Sequence, residues 1–109
     1  MITWDDFEKL DIRTGTIIKA SPFEKAKKPA YKLKIDFGTE GIKNSSAQIT
    51  TLYNLDDLVG KQIVAVINFP PKQIADFMSE CLVLGVYDAN KNVILLQPNK
   101  PTENGNKIG

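Results

Sequence analysis

From Asp11 the chain runs in short stretches in which apolar and polar side chains alternate, the period-two signature of strands with one buried face. In the first stretch Ile12, Thr14, Thr16 and Ile18 alternate with Arg13, Gly15 and Lys19. A glycine inside a strand predicts a bulge or a tight bend, as a small closed barrel requires. The second stretch puts Tyr31, Leu33, Ile35 and Phe37 on one face and Lys32, Lys34 and Asp36 on the other. A third strand, from Ile42 to Thr50, is of another kind. Its polar residues Asn44, Ser45, Ser46, Gln48 and Thr50 are small and uncharged. They make hydrogen bonds but bury little apolar surface. The fourth, from Gln62 to Phe69, is apolar on both faces and predicts the most buried strand. Pro70 and Pro71 stop it. Gln73 to Ser79 then reads as one helical turn. The segments 80–88 and 92–98 read as two arms of a hairpin.

Two helices interrupt this pattern. Thr3 is placed to cap a helix whose first turn holds Asp5 and Asp6, where the helix dipole favours negative charge. Trp4, Phe7 and Leu10 share one face. That apolar stripe needs a surface to lie on, either its own barrel or a second subunit. A second helical turn between the third and fourth strands ends at Gly60. Asp56 and Asp57 are adjacent in it, so they do not face one another, and they read as solvated or capping acids.

The expected architecture is mainly β: a five-stranded barrel with a short helix between strands 3 and 4. An N-terminal helix (1–10) and a C-terminal extension (98–109) are added to it. A helix at that position fits an OB-fold; a small barrel with other connections is the alternative. The 109 residues fit one domain.

Composition narrows the chemistry. The chain is 42% hydrophobic and 25% charged, as in an ordinary globular protein. It has no histidine and one cysteine, Cys81. That removes histidine-based nucleophilic catalysis, a His/Cys zinc cluster and an intrachain disulfide. No catalytic residue, metal or cofactor is expected. Cys81 lies among strand-forming apolar residues and reads as a buried structural thiol. No apolar run approaches the roughly 20 residues that span a bilayer, so no membrane insertion is expected. The acidic, amphipathic start does not resemble a signal peptide, and a cytoplasmic protein is the simplest reading. Net charge is only +1, yet Lys25, Lys27, Lys28, Lys32 and Lys34 fall in one stretch without an acid. Such a patch suits a weak, salt-sensitive polyanion site or a solvated loop.

The motifs "DIRTGTI", "SSAQIT", "NFPP" and "SECLVLG" together resemble the tRNA-binding-domain family, and within it the stand-alone CsaA-type export-related chaperones. The resemblance covers nearly the whole chain. It implies an OB-fold and, for stand-alone members, a homodimer. It also implies two functions: binding of peptides and preproteins, and binding of tRNA through shape and backbone. Synthetase-type members carry a basic N-x-K-P-R after the fourth strand. Here Asn68, Phe69, Pro70, Pro71 and Lys72 keep the asparagine and one basic residue but gain a phenylalanine, which favours an apolar groove.

The candidate surface follows from strand alternation. Lys32 and Lys34 stand on the outward side of the second strand, and Asn44, Ser46 and Gln48 share one side of the third. Amides and hydroxyls serve a nucleic-acid backbone and a peptide backbone equally well. Phe69, Ile74, Phe77 and Met78 around the Pro70–Lys72 turn suit peptide side chains, with Ser79 and Glu80 orienting the loop. Asn68 and Lys72 would work on RNA. Trp4, Phe7 and Leu10 are the expected dimer contacts.

Overall fold

The computed structural model describes residues 1–109. The elements in chain order are α1 (Trp4–Glu8), β1 (Ile12–Pro22), β2 (Tyr31–Asp36), a 3-10 turn (Gly38–Glu40), β3 (Ile42–Ala47) and α2 (Leu55–Leu58). They continue as β4 (Gln62–Val66), β5 (Lys72–Ile74), β6 (Phe77–Ser79), β7 (Leu82–Val83), β8 (Gly85–Tyr87) and β9 (Val93–Leu95). The main sheet runs β3-β2-β1-β4-β7, all antiparallel, and curls into a nearly closed barrel. Hairpins β5–β6 and β8–β9 flank it. This is the expected mainly β, OB-type architecture, with α2 between β3 and β4. No helix is long and apolar enough to cross a membrane.

The long strand β1 serves two partners. Ile12 to Thr16 pair with β4, and Thr16 to Pro22 pair with β2. The register shifts between Ile17 and Lys19, so the bulge lies at Ile18 rather than at Gly15. Ahead of the shift the core face carries Gly15 and Ile17, and the set Ile12, Thr14, Thr16 and Ile18 lies on the opposite face, with Ile18 exposed. Gly15 serves close packing instead. A Cβ there would come within 2.7 Å of Ile35 Cγ2 and of the Phe37 ring. The core gathers Ile17, Leu33, Ile35, Phe37, Leu58 and Ile63, all essentially inaccessible, around Ala65 and Cys81. β4 supplies Ile63, Ala65 and Val66 to the interior, in line with its two-faced apolar sequence.

The segment 73–79 is not helical. Lys72–Ile74 and Phe77–Ser79 form an antiparallel hairpin, with Ala75 at φ 52° in its tight turn. The reason is register: Ile74 sits opposite Phe77, so both point inward only if the chain reverses at Ala75–Asp76. The tail departs from a simple loop as well. Its backbone straps β1: Thr14 N donates to Asn106 O, Gly105 N to Thr14 O, and Ile108 N to Ile12 O. The N-terminal helix is shorter than expected. It is closed by a capping box, in which Asp6 N donates to Thr3 Oγ1 and Thr3 N to the Asp6 carboxylate.

Gly15→Ala should destabilise the fold by about 1–3 kcal/mol, because Ile35 and Phe37 must yield to the added methyl. Urea unfolding of the two proteins measures this, and an unchanged midpoint would refute it.

Candidate functional site

The β5–β6 hairpin organises the surface. Its register puts Gln73 and Met78 on one face and Lys72, Ile74, Phe77 and Ser79 on the other. Met78 points to solvent at 45% exposure, and Ile74 and Phe77 are half-buried. Phe77 meets Phe23 edge to face at 5.4 Å between ring centroids. The Lys32 ammonium lies over both rings, 5.0 Å from Phe23 and 5.4 Å from Phe77. Outside this cluster Lys25 donates to Asp76 at 2.9 Å, and that bond holds the Asp76 carboxyl below its ordinary range. The lysine-rich stretch is therefore divided. Lys32 is stacked on aromatic rings, Lys25 is paired, and Lys34 donates to Asn44 Oδ1 at 3.2 Å.

Beyond the hairpin, side chains close the barrel where no ladder does. Glu80 N donates to Asn44 O at 2.8 Å, and Asn44 N donates back to the Glu80 carboxylate at 2.9 Å. Ser46 N donates to Ser79 Oγ at 3.2 Å. Buried Ser45 donates to Cys81 O at 3.0 Å. The backbone edge of β3 is thus served by Glu80 and Ser79, and of its own small polar side chains Ser45 bonds across the junction. Ser79 and Glu80 orient this junction, and Asn44 and Ser46 are joined to them directly.

Three hollows result. The first, about 230 Å³, is basic and lies between Lys19, Lys32, Lys34, Asn44 and Phe77. The second, about 280 Å³, lies at the open end of the hairpin between Phe69, Pro70, Lys72, Ser79 and Leu82. Phe69 is 50% exposed and Leu82 49%. The third, about 400 Å³, separates Ser46 and Gln48 from Val83, Gly85 and Tyr87. Phe77 and Ser79, alternate residues of β6, face the first and second hollows respectively. Ile74 and Met78 line none of the three.

Asn68 lies apart from these hollows. Its Oδ1 accepts from Asp11 N at 3.0 Å and its Nδ2 donates to Lys9 O at 2.8 Å. Both ends of the amide tie the N-terminal segment to the end of β4. Trp4 and Phe7 are together, rings 5.9 Å apart at 77°. They line an open apolar hollow of about 620 Å³ with Ile2, and Trp4 is 75% exposed. Leu10 is exposed at 40% but does not line it.

Sequence reasoning missed Phe23, Lys19, Leu82 and Tyr87. Phe23 carried a signal: it is the one aromatic in a lysine-rich loop, where solvation alone gives no reason for a ring. Leu82 and Tyr87 carried none, because "CLVLGVY" reads as a buried strand while its chain turns along the surface.

Cys81 is buried as expected, and burial pushes its thiol from the ordinary 9.0 up to about 11 against an opposing hydrogen bond from Ser45. The native state thus holds a proton that the unfolded chain has released. The contribution is complete below pH 9.0 and disappears as pH climbs toward about 11. Over that window stability should fall more steeply in the native chain than in Cys81→Ala. Parallel pH profiles in chemical denaturation would refute this.

Comparison with known proteins places this geometry. Residues 12–107 match the family model described as "Putative tRNA binding domain". The methionine–tRNA ligase of Methanococcoides burtonii is 41% identical over 99% of this chain, which spans 16% of that ligase. The crystal structure of CsaA chaperone protein from Picrophilus torridus is 57% identical, with a TM-score of 0.94 and full coverage of both chains. That of chaperone CsaA from Bacillus anthracis is 55% identical, with a TM-score of 0.93, covering 100% of this chain and 99% of the other. With the family model spanning all nine strands and the CsaA structures superposing end to end, the chain belongs to the tRNA-binding-domain family and is similar throughout to its CsaA-type chaperones.

Proposed function

We propose that the chain is a non-catalytic, CsaA-like chaperone that transiently holds unfolded or export-bound polypeptides. The observation that carries this reading is the pair of half-exposed apolar side chains, Phe69 and Leu82, in an open hollow beside Lys72 and Ser79. Apolar groups left in water around a concavity favour a ligand with apolar side chains of its own. Likeness to two structures named as chaperones supports the same class.

The second reading is a tRNA-binding module. Lys19, Lys32 and Lys34 around a hollow containing Asn44 suit a phosphate backbone, and the family's description supports it. The two readings use different stretches of the β5–β6 hairpin, Phe77 near its turn and the Lys72–Ser79 pair at its open end. Phe69→Ala with Leu82→Ala should weaken binding of an unfolded, apolar peptide on the order of tenfold or more. Lys19→Glu with Lys34→Glu should change it little. Lys32 is left intact because its ring contacts make it part of the packing. Titrations by fluorescence anisotropy at two salt concentrations decide. Salt-dependent tRNA binding, abolished by the lysine pair, with no measurable peptide binding would overturn the chaperone reading.

We also infer a homodimer through the N-terminal apolar hollow. A two-fold contact repeats one patch on both copies, and Ile2, Trp4 and Phe7 form such a patch. Trp4→Ala with Phe7→Ala should halve the mass seen by light scattering. A mass unchanged from that of the native protein would rule this interface out.

A further inference from the structure

We propose that a bound polypeptide is held by strand addition, its backbone entering the gap between β3 and the β7–β8 edge. This rests on the polypeptide-binding reading and adds the mode of capture. β3 and β7 are the two terminal strands of the main sheet, and neither has a strand partner on its outer edge. The barrel is joined between them by the Asn44–Glu80, Ser46–Ser79 and Ser45–Cys81 bonds. Past that junction the edges diverge and the third hollow opens.

The phase of the backbone fixes which groups face the gap. Leu84 N donates to Val64 O at 2.9 Å, and Leu96 N donates to Leu84 O at 3.1 Å. Both backbone groups of Leu84 therefore turn toward β4 and β9. The flanking residues Val83 and Gly85 turn the opposite way, since successive residues of a strand alternate. Tyr87 shares their phase, because Asp88 N bonds inward to Asn92 O. On β3 the residues whose backbone faces the gap are Asn44 and Ser46, as their bonds to Glu80 and Ser79 require. Gln48 is next in that phase. It is exposed, and no group of the chain reaches its backbone. The free row of main-chain donors and acceptors thus lies along Val83, Gly85 and Tyr87, at strand spacing, while on β3 the Asn44 and Ser46 amides are already bonded and Gln48 stands open opposite. An extended backbone is the complement of such a row. A folded protein has already paired its own strands, so an unfolded chain is selected.

The walls add side-chain preferences. Tyr87, Val93 and Leu95 provide apolar contacts, and Lys91 is the one charged residue lining the hollow. The preferred segment alternates apolar and polar side chains and carries a carboxylate near Lys91.

The test uses a fluorescein-labelled peptide of alternating valine and threonine ending in aspartate. Two further versions are N-methylated at every second amide, in opposite phases. N-methylation in one phase should weaken binding about tenfold and in the other hardly at all, because only alternate amides meet the edge. Lys91→Glu should reverse a preference for aspartate-ended over lysine-ended peptides, by up to about fivefold. Equal effects of the two methylation phases would overturn strand addition and leave the polypeptide reading standing. So would binding of a reduced, alkylated protein without binding of the peptide. If neither is bound, both readings fail.

Discussion

The barrel depends on one strand that belongs to two pairings. β1 lies beside β4 over its first half and beside β2 over its second, and the register shift at Ile18 lets it turn from one to the other. Closure then demands room on its inner side, which Gly15 supplies to the Phe37 ring and to Ile35. It also leaves the outer edge of the first half without a strand, and the C-terminal segment fills that place. Thr14 makes the filling obligatory. Its side chain is buried, so its hydroxyl must be satisfied, and it donates to Glu103 O while accepting from Asn106 N. Arg13 reinforces the strap by donating to Gly105 O and pairing with Asp11 and Glu40. Residues about ninety positions apart are thereby fixed on one strand.

The polar third strand acquires its reason at the opposite side of the barrel. A fifth strand pairing along the whole of β3 would satisfy its edge by backbone alone. Here Ser79 and Glu80 satisfy it with side chains, and Ser45 bonds the carbonyl of Cys81 beneath them. Larger residues at 44–46 would hold that segment away. Side-chain closure is short-ranged, however. It blunts the edge where Ser79 and Glu80 reach and leaves it open beyond.

Much of this was legible because periodicity reports which face is buried. The alternation Leu33, Ile35, Phe37 and the two-faced Ile63-to-Val66 run gave β2 and β4, and the helix between β3 and β4 gave the barrel class. What escaped depended on contacts distant in sequence. The β5–β6 hairpin reads as helical because Ile74, Phe77 and Met78 are spaced three and four apart, and only packing on Phe23 decides otherwise. Asn68 looked like a binding group beside two prolines. Its amide is taken at both ends by Lys9 and Asp11, 59 and 57 residues away. The tail looked like a loop because a strap that bonds through backbone and Thr14 needs no side-chain pattern of its own.

Charge divides this small surface into unlike parts. The lysine run does not act as one field: Lys25 is neutralised by Asp76, and Lys32 is stacked on Phe23 and Phe77. What remains toward the basic hollow is Lys19 and Lys34, with the ammonium of Lys32 at its rim. Two or three cations meet two or three phosphates, which gives a shallow salt dependence and weak attachment at physiological salt. At the open end of the same hairpin the hollow sets Phe69 and Leu82 beside a single cation, Lys72. Phe77 and Ser79 lie on one face of β6, and the two environments follow one another along it, Phe77 at the turn end and Ser79 at the open end of the hairpin. Under the two readings proposed above, a phosphate and an apolar side chain would meet the same strand at neighbouring positions.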